Sequence, residues 1–537
     1  MLHDLFVTFP IWFVAIIGCF LLLLDTFGDQ GSRRYLGPLS AGGALAAVGV
    51  IWLLWGRADL AFETPMFRGM MVMGNLELAA CSLLLIIAAV VSLMASDHAE
   101  EQGFAHGELY ALIHFAVFGM MVMATATHFA TLFVGLEIMS IAVYILAAVK
   151  RSSPLSAEAG LKYFLLGAFS SGILLYGAAF IYGETAALEY NAIREALAAK
   201  AEHSGYLGLG LAMLGVAFAF KIALVPFHMW TPDVYEGAPP PVTALMATGV
   251  KAAAVVAMAR FFGAALPGTV IGAELDRDFL NAMSLFAILT ILVGNTVALH
   301  QTSLKRMLGY SSIAHAGYLV IGVLALHIAP STSGLGALNF YLFTYALANL
   351  AVFAVLSWVV RGRDEDATFD SIAGLAKTRP FAAVVLALGM LSLAGVPPTA
   401  GFFGKLELFR AALDAEPEGS RRILYLVIAA MLGSVVSVYY YLRVIVYAYF
   451  KEPIVAPGTD APPEAPAPGR PLLAAWVLTA VGIVYVGMFP GRAVRVSQGI
   501  ADNRPAIAAT FNAPPANTPA LVRPAAPAQP PVPTPAH

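Results

Sequence analysis

Apolar runs of about twenty residues recur along nearly the whole of this chain, and that recurrence decides its fold class. A helical run of that length crosses a hydrocarbon core. About fourteen spans can be placed, starting near residues 5, 35, 70, 108, 128, 160, 206, 239, 279, 306, 336, 380, 421 and 471. The runs are continuously apolar rather than alternating, so backbone groups in lipid have to be satisfied within each segment, as in helices and not as in a barrel. Composition agrees, with 59% hydrophobic and 12% charged residues in 537, against about half and about a quarter in soluble chains. The expected fold is all-α, a polytopic membrane protein forming one membrane domain. The first run, Leu5 to Leu24, follows an acidic start with Asp4 and lacks a small-residue cleavage site, so it is expected to be a retained helix.

Basic residues orient the bundle. Arg33, Arg34, Lys150, Arg151, Lys305, Arg306, Arg361, Arg363, Lys377, Arg379 and Lys451 fall in loops that follow odd-numbered spans, with Arg57, Arg68, Arg421 and Arg422 on the other side. Cytoplasmic loops carry the excess of Lys and Arg. The expectation is therefore a multi-pass protein with external N- and C-termini; its length and Pro-Ala tail favour a bacterial inner membrane, where those termini are periplasmic. Residues 493–537 are rich in Pro and Ala, cannot bury a core and are expected to be disordered; Pro453 to Pro471 reads as a polar loop. Residues 1–107 hold the first three spans, and residues 451–492 hold that loop and the last span.

Several chemistries have no home here. The net charge of -3 gives no reason to expect nucleic acid. Cys19 and Cys81 both lie inside predicted spans, so neither a disulfide framework nor a thiolate metal cluster is available. No strand, Gly-rich loop and helix unit suggests flavin or dinucleotide binding, and Gly167 to Gly172 lacks the Gly-Lys-Ser/Thr of a phosphate loop. His114 and His128 have no second pair at the spacing that bis-histidine haem ligation requires. Redox energy, if used, has to come from another chain.

Two spans are interrupted in a comparable way, at Lys221-Ile-Ala-Leu-Val-Pro226 and at Gly395-Val-Pro397-Pro398-Thr-Ala-Gly401. Proline removes a donor and clashes with the preceding turn, so both helices are expected to break at membrane depth. Paired broken helices about five spans apart point to inverted repeats. Residues 108–262 and 279–450 are taken as those repeats, each of five helices.

Glu137, Lys221, Lys251 and Lys405 sit well inside apolar runs. Such charges are costly in a bilayer and belong in a protein interior or a wet cavity. A structural ion pair or snorkelling near a helix end is the bland alternative. The functional one is a proton relay, because burial favours a neutral lysine and a nearby carboxylate favours a charged one. Two charges about 4 Å apart interact by about 4 kcal/mol at an effective dielectric near 20, enough for a switch. Glu137 is the candidate modulator of Lys221. His228, His315 and Lys162 are possible further members, against readings as hydrogen-bonded core histidines and a snorkelling lysine.

At these residues the chain resembles the antiporter-like membrane subunits of respiratory NADH-quinone oxidoreductase (complex I). The likeness is carried by Lys221 to Thr243, with its Tyr235-Glu-Gly-Ala-Pro239 and the following Ala-Thr-Gly-Val-Lys251, and by Glu158 to Gly172, Leu304 to His315 and Leu393 to Lys405. It spans residues from about 70 to about 450, and the Tyr-Glu-Gly-Ala-Pro string resembles subunit N in particular. The resemblance implies a proton-translocating membrane-arm subunit of a translocase, with Glu137, Lys221, Lys251 and Lys405 matching the family's proton pathway. It also implies no redox centre in this chain, with FMN, iron–sulfur clusters and quinone (ubiquinone class) on other subunits. Partners would be subunit M, the small membrane subunits and the lipid bilayer. Lys405 is similar to subunits N and L rather than M, which has Glu there; the Pro-Ala tail departs from L's lateral helix and from a typical N. The alternatives are a subunit of a multi-chain cation/proton antiporter or of a membrane-bound hydrogenase.

Overall fold

The computed structural model describes residues 2–55, 65–104, 106–200, 202–360, 367–453 and 467–502. Among them the regular structure is helical, apart from isolated bridges such as Met66 with Met71. The long helices are α1 (Phe9–Phe27), α2 (Leu36–Trp55), α3 (Asn75–Glu101), α4 (Gly107–Thr125), α5 (Phe129–Ala147) and α6 (Pro154–Thr185). The first broken span comprises α7 (Gly205–Ile222) and α8 (Trp230–Gly237), and α9 (Pro240–Gly263) returns across the bundle. Then follow α10 (Ala273–Ala298), α11 (Leu304–Ile328) and α12 (Thr332–Val359). The second broken span is α13 (Pro380–Ala394) with α14 (Ala400–Asp414), after which come α15 (Arg422–Phe450), α16 (Arg470–Met488) and α17 (Pro490–Asp502).

Thirteen of the described helices are long and apolar enough to cross a membrane. The α13/α14 pair supplies the fourteenth span of the sequence reading, because its break leaves 15 residues on each side. Both interruptions fall where the prolines place them. Ala223 ends α7 in the left-handed region (φ 64°) and Gly395 ends α13 likewise (φ 82°).

The helices sort by burial. All of α9 is inside the protein, and α3, α11 and α12 are largely so, whereas α1, α2, α6, α10 and α15 present apolar residues such as Trp52, Phe169 and Val435 outward. That is the arrangement of a bundle whose rim faces lipid or neighbouring chains. At the crossing of α4 and α5 the backbones meet at Gly119 and Gly135, where a Cβ on Gly119 would run into Met139 N. Small residues permit this approach, and it brings the following turns of α5, with Glu137 and Ser140, against the core.

Two sequence expectations need adjusting. Lys305 and Arg306 belong to the first turn of α11 rather than to a loop, and Lys305 is fully buried with its amine on Ala238 O at 2.9 Å. α17 carries regular structure to residue 502, past the point where composition begins the tail. The rest of the tail, residues 454–466 of the Pro-rich loop, and Arg57, Arg361 and Arg363 lie outside the described residues.

Candidate functional site

Lys221 occupies the last turn of α7 and is 3% exposed. Its amine donates to Ser140 Oγ at 2.7 Å and Tyr144 OH at 3.3 Å, both on α5. Glu137, Ser140 and Tyr144 stand at i, i+3 and i+7, so helical periodicity lines them along one face. Glu137 is half-buried and no ion pair within 4.0 Å joins it to Lys221; the two interact electrostatically, and Glu137 Oε1 is buried without a hydrogen-bond partner among the described residues. The contact between these spans is thus present, made by the Ser140 and Tyr144 hydroxyls. Tyr144 also lines a cleft of about 890 Å³ whose walls include Asp25, Arg33, Glu108 and Lys150. The cleft is thus walled both by charged residues near the helix ends and by Tyr144, the residue whose hydroxyl accepts from Lys221.

Beyond Tyr144 the interior is aromatic. Tyr163 packs edge-on against Tyr144 (4.8 Å between centroids) and stacks on Trp230 (4.4 Å), which neighbours Tyr235. Hydrogen bonding resumes at Tyr235 OH, 3.3 Å from Ser312 Oγ. Lys251, buried in the middle of α9, donates to Ser312 O at 2.5 Å and Ser312 Oγ at 2.6 Å, and Tyr345 OH donates to the same Oγ at 3.0 Å. One turn along α11, His315 has Nδ1 2.6 Å from Tyr341 OH and Nε2 3.2 Å from Tyr441 OH, and its ring lies 4.8 Å from that of Tyr345. Tyr440 donates to Asn295 Oδ1 at 3.0 Å, and Asn295 Nδ2 donates to Tyr318 OH at 3.3 Å.

Lys405, on the second turn of α14, lies 5.5 Å from the Tyr318 ring centroid. Its amine donates to Leu393 O and Ala394 O, each at 3.0 Å, and to Ser434 Oγ at 2.8 Å. Those two carbonyls are orphaned by the end of α13, where the helix dipole is negative. The break itself thus builds the cation's site.

The remaining expectations separate. His315 joins the buried row. His228 lies in the turn between α7 and α8, half-buried, with Nδ1 lacking a partner among the described residues and no bond to Lys221. Lys162 is 40% exposed and bonds Glu158 Oε1 and Asp233 Oδ2, each at 2.6 Å, while Arg306 bonds Asp233 and Glu236 beside it. That cluster fastens α8 to α6 and α11. The hydroxyl and phenol partners were missed in the sequence, although Tyr341/Tyr345 and Ser311/Ser312/His315 stand at helical spacing. Also missed was an ion pair wholly inside the bundle, Glu77 on α3 with Arg260 on α9. Its signal was two opposite charges inside apolar spans.

The chain has relatives in sequence and in fold. The family described as "NADH:quinone oxidoreductase/Mrp antiporter, TM" matches residues 126–437. The chain belongs to this family. Among its relatives, NADH-quinone oxidoreductase subunit N of Trichlorobacter lovleyi is 40% identical, over 92% of this chain and 96% of that one. Subunit N of Myxococcus xanthus is 37% identical, over 89% and 94%. Among solved structures, a chain of respiratory complex I from Thermus thermophilus aligns with a TM-score of 0.71 at 32% identity, covering 90% of this chain and 98% of that one. A chain of the Mrp complex of a Dietzia species aligns at 0.75 with 21% identity, over 95% and 100%, which shows a common fold.

Proposed function

We propose that this chain is the N-type antiporter-like subunit of a NADH:quinone oxidoreductase and that it moves protons along its buried polar row. The observation that carries this reading is the buried row itself, in which Lys221 meets Ser140 and Tyr144, Lys251 meets Ser312 with Tyr345 beside it and His315 with its tyrosines one turn on, and Lys405 stands 5.5 Å from the Tyr318 ring. Each lysine can take a proton as an ammonium and release it as an amine. Water would have to bridge the stacked rings between Tyr144 and Tyr235.

In this reading Lys221 takes protons from the cytoplasmic side, the cleft ending at Tyr144 being the route. Lys251 passes them along the axis, His315 and its tyrosines bridge the centre, and Lys405 exchanges with the external side. Glu137 sets the affinity of Lys221. Its half-buried position leaves it open to the charge of a neighbouring subunit, and subunit M and the small membrane subunits are the proposed neighbours. The two broken spans belong to inverted five-helix repeats, and the termini are periplasmic. FMN, iron–sulfur clusters and quinone sit on other subunits, which supply the driving energy. The Mrp-like alternative shares the fold, but relatives at 37% and 40% identity over about nine-tenths of the chain carry the subunit N name.

The test is to purify the tagged chain from its membrane in mild detergent, identify co-purifying chains and assay NADH oxidation with an artificial acceptor. Flavin and iron–sulfur chains together with that activity support the reading. Membrane chains alone, without activity, move it to the antiporter.

A further inference from the structure

The span that carries Lys251 is not a regular α-helix. Met246–Val250 and Ala259–Ala265 are wound as π-helical turns on either side of the α-helical stretch Lys251–Met258. A π turn holds an extra residue, and such turns cluster at functional sites. Where the turn sits sets the rotation of the neighbouring residues, since one residue of register is about 100° around the axis. A swing of that size would carry the Lys251 amine away from Ser312.

Two contacts outside the relay grip the second π turn. Arg260 Nη2 donates to Glu77 Oε1, with Glu77 0% and Arg260 7% exposed. On another side His327 Nδ1 donates to Phe262 O at 2.8 Å, while His327 Nε2 lies 2.7 Å from Asp276 Oδ1. Arg260 stands nine positions after Lys251, about half a turn round an ideal helix. The Arg260 contact thus reaches α3, a different neighbour from α11, which carries both Ser312 and His327. A buried ion pair is a weak source of net stability, and its best-attested use is to fix register.

We propose that the Glu77–Arg260 pair is a positioning element for Lys251: it pins the Ala259–Ala265 turn against α3 and holds Lys251 in the register at which it bonds Ser312. This rests on Lys251 being a relay group.

The test is a double-mutant cycle in the assembled complex with Glu77→Gln, Ser312→Ala and both together. Quinone-coupled proton pumping is measured in proteoliposomes and normalised to NADH oxidation with an artificial acceptor, which counts assembled enzyme. Each single change is expected to lower pumping about tenfold, with one shared altered pH profile, and the double to be no worse than the poorer single. If Glu77→Gln does not assemble, Arg260→Lys takes its place in the cycle. Losses that multiply, or pH profiles that differ between the singles, overturn the positioning role while leaving the relay standing. Lys251→Ala with unchanged pumping overturns the relay, and this proposal with it.

Discussion

Lys221 ends the half-helix before its break, whereas Lys405 begins the second turn after its own. Lys221 is held by side-chain hydroxyls on another helix, beside a carboxylate that has no direct bond to it. Lys405 is held by two backbone carbonyls and one hydroxyl. Carbonyls at a helix end are fixed dipoles, worth about 0.3–2 kcal/mol to a cation and unable to change charge. A carboxylate can change its distance, its protonation and its partner, and so can reset the charge state of a nearby amine. In the proposed relay, the difference teaches that the affinity of Lys221 can be reset by its carboxylate, whereas that of Lys405 is set by fixed groups.

The largest expected effect falls on both sites alike. Lys221→Ala and Lys405→Ala, measured as quinone-coupled pumping in proteoliposomes, should each lower the rate about tenfold or more. An intact rate in either removes that lysine from the path and breaks the comparison. Next, Glu137→Gln should lower the pumping rate several-fold, while Ser434→Ala, which leaves Lys405 its two carbonyls, should cost less than about twofold. Equal losses would mean that the carboxylate is no more than packing.

The breaks themselves offer a smaller contrast. Gly395 has φ 82°, and a Cβ there would stand 3.1 Å from Lys405 Cδ and 3.3 Å from its Nζ. Gly395→Ala should therefore destabilise the complex by about 1–2 kcal/mol and disturb the amine, whereas Ala223→Gly should stabilise it by up to about 1 kcal/mol. Thermal unfolding of the two purified variants checks the signs. Last, Lys162→Ala should alter pumping by less than about twofold, because its exposed bridges contribute little; a severe loss in the same assay would bring Lys162 into the relay.

The spans, their number and both breaks were legible because membrane-length runs and proline act locally. The three buried lysines and the half-buried Glu137 were legible because hydrocarbon makes such residues conspicuous. What could not be read is which groups meet across helices. Ser140 and Tyr144 become partners of Lys221 only when α5 packs on α7, and Leu393 O and Ala394 O become ligands of Lys405 only when α13 ends beside α14. Glu77 and Arg260 lie near the ends of their spans and 183 positions apart, so neither alone distinguishes a buried pair from two snorkelling side chains. Lys305 was read as a loop cation because the boundary of α11 falls one residue before it.

The most direct test of the central claim is the number of protons moved per electron by the purified complex carrying Lys221→Ala, reconstituted in liposomes and compared with the unaltered complex. The account predicts that pumping falls, either with a lowered ratio or with turnover lost in step. An unchanged ratio at unchanged turnover would contradict it.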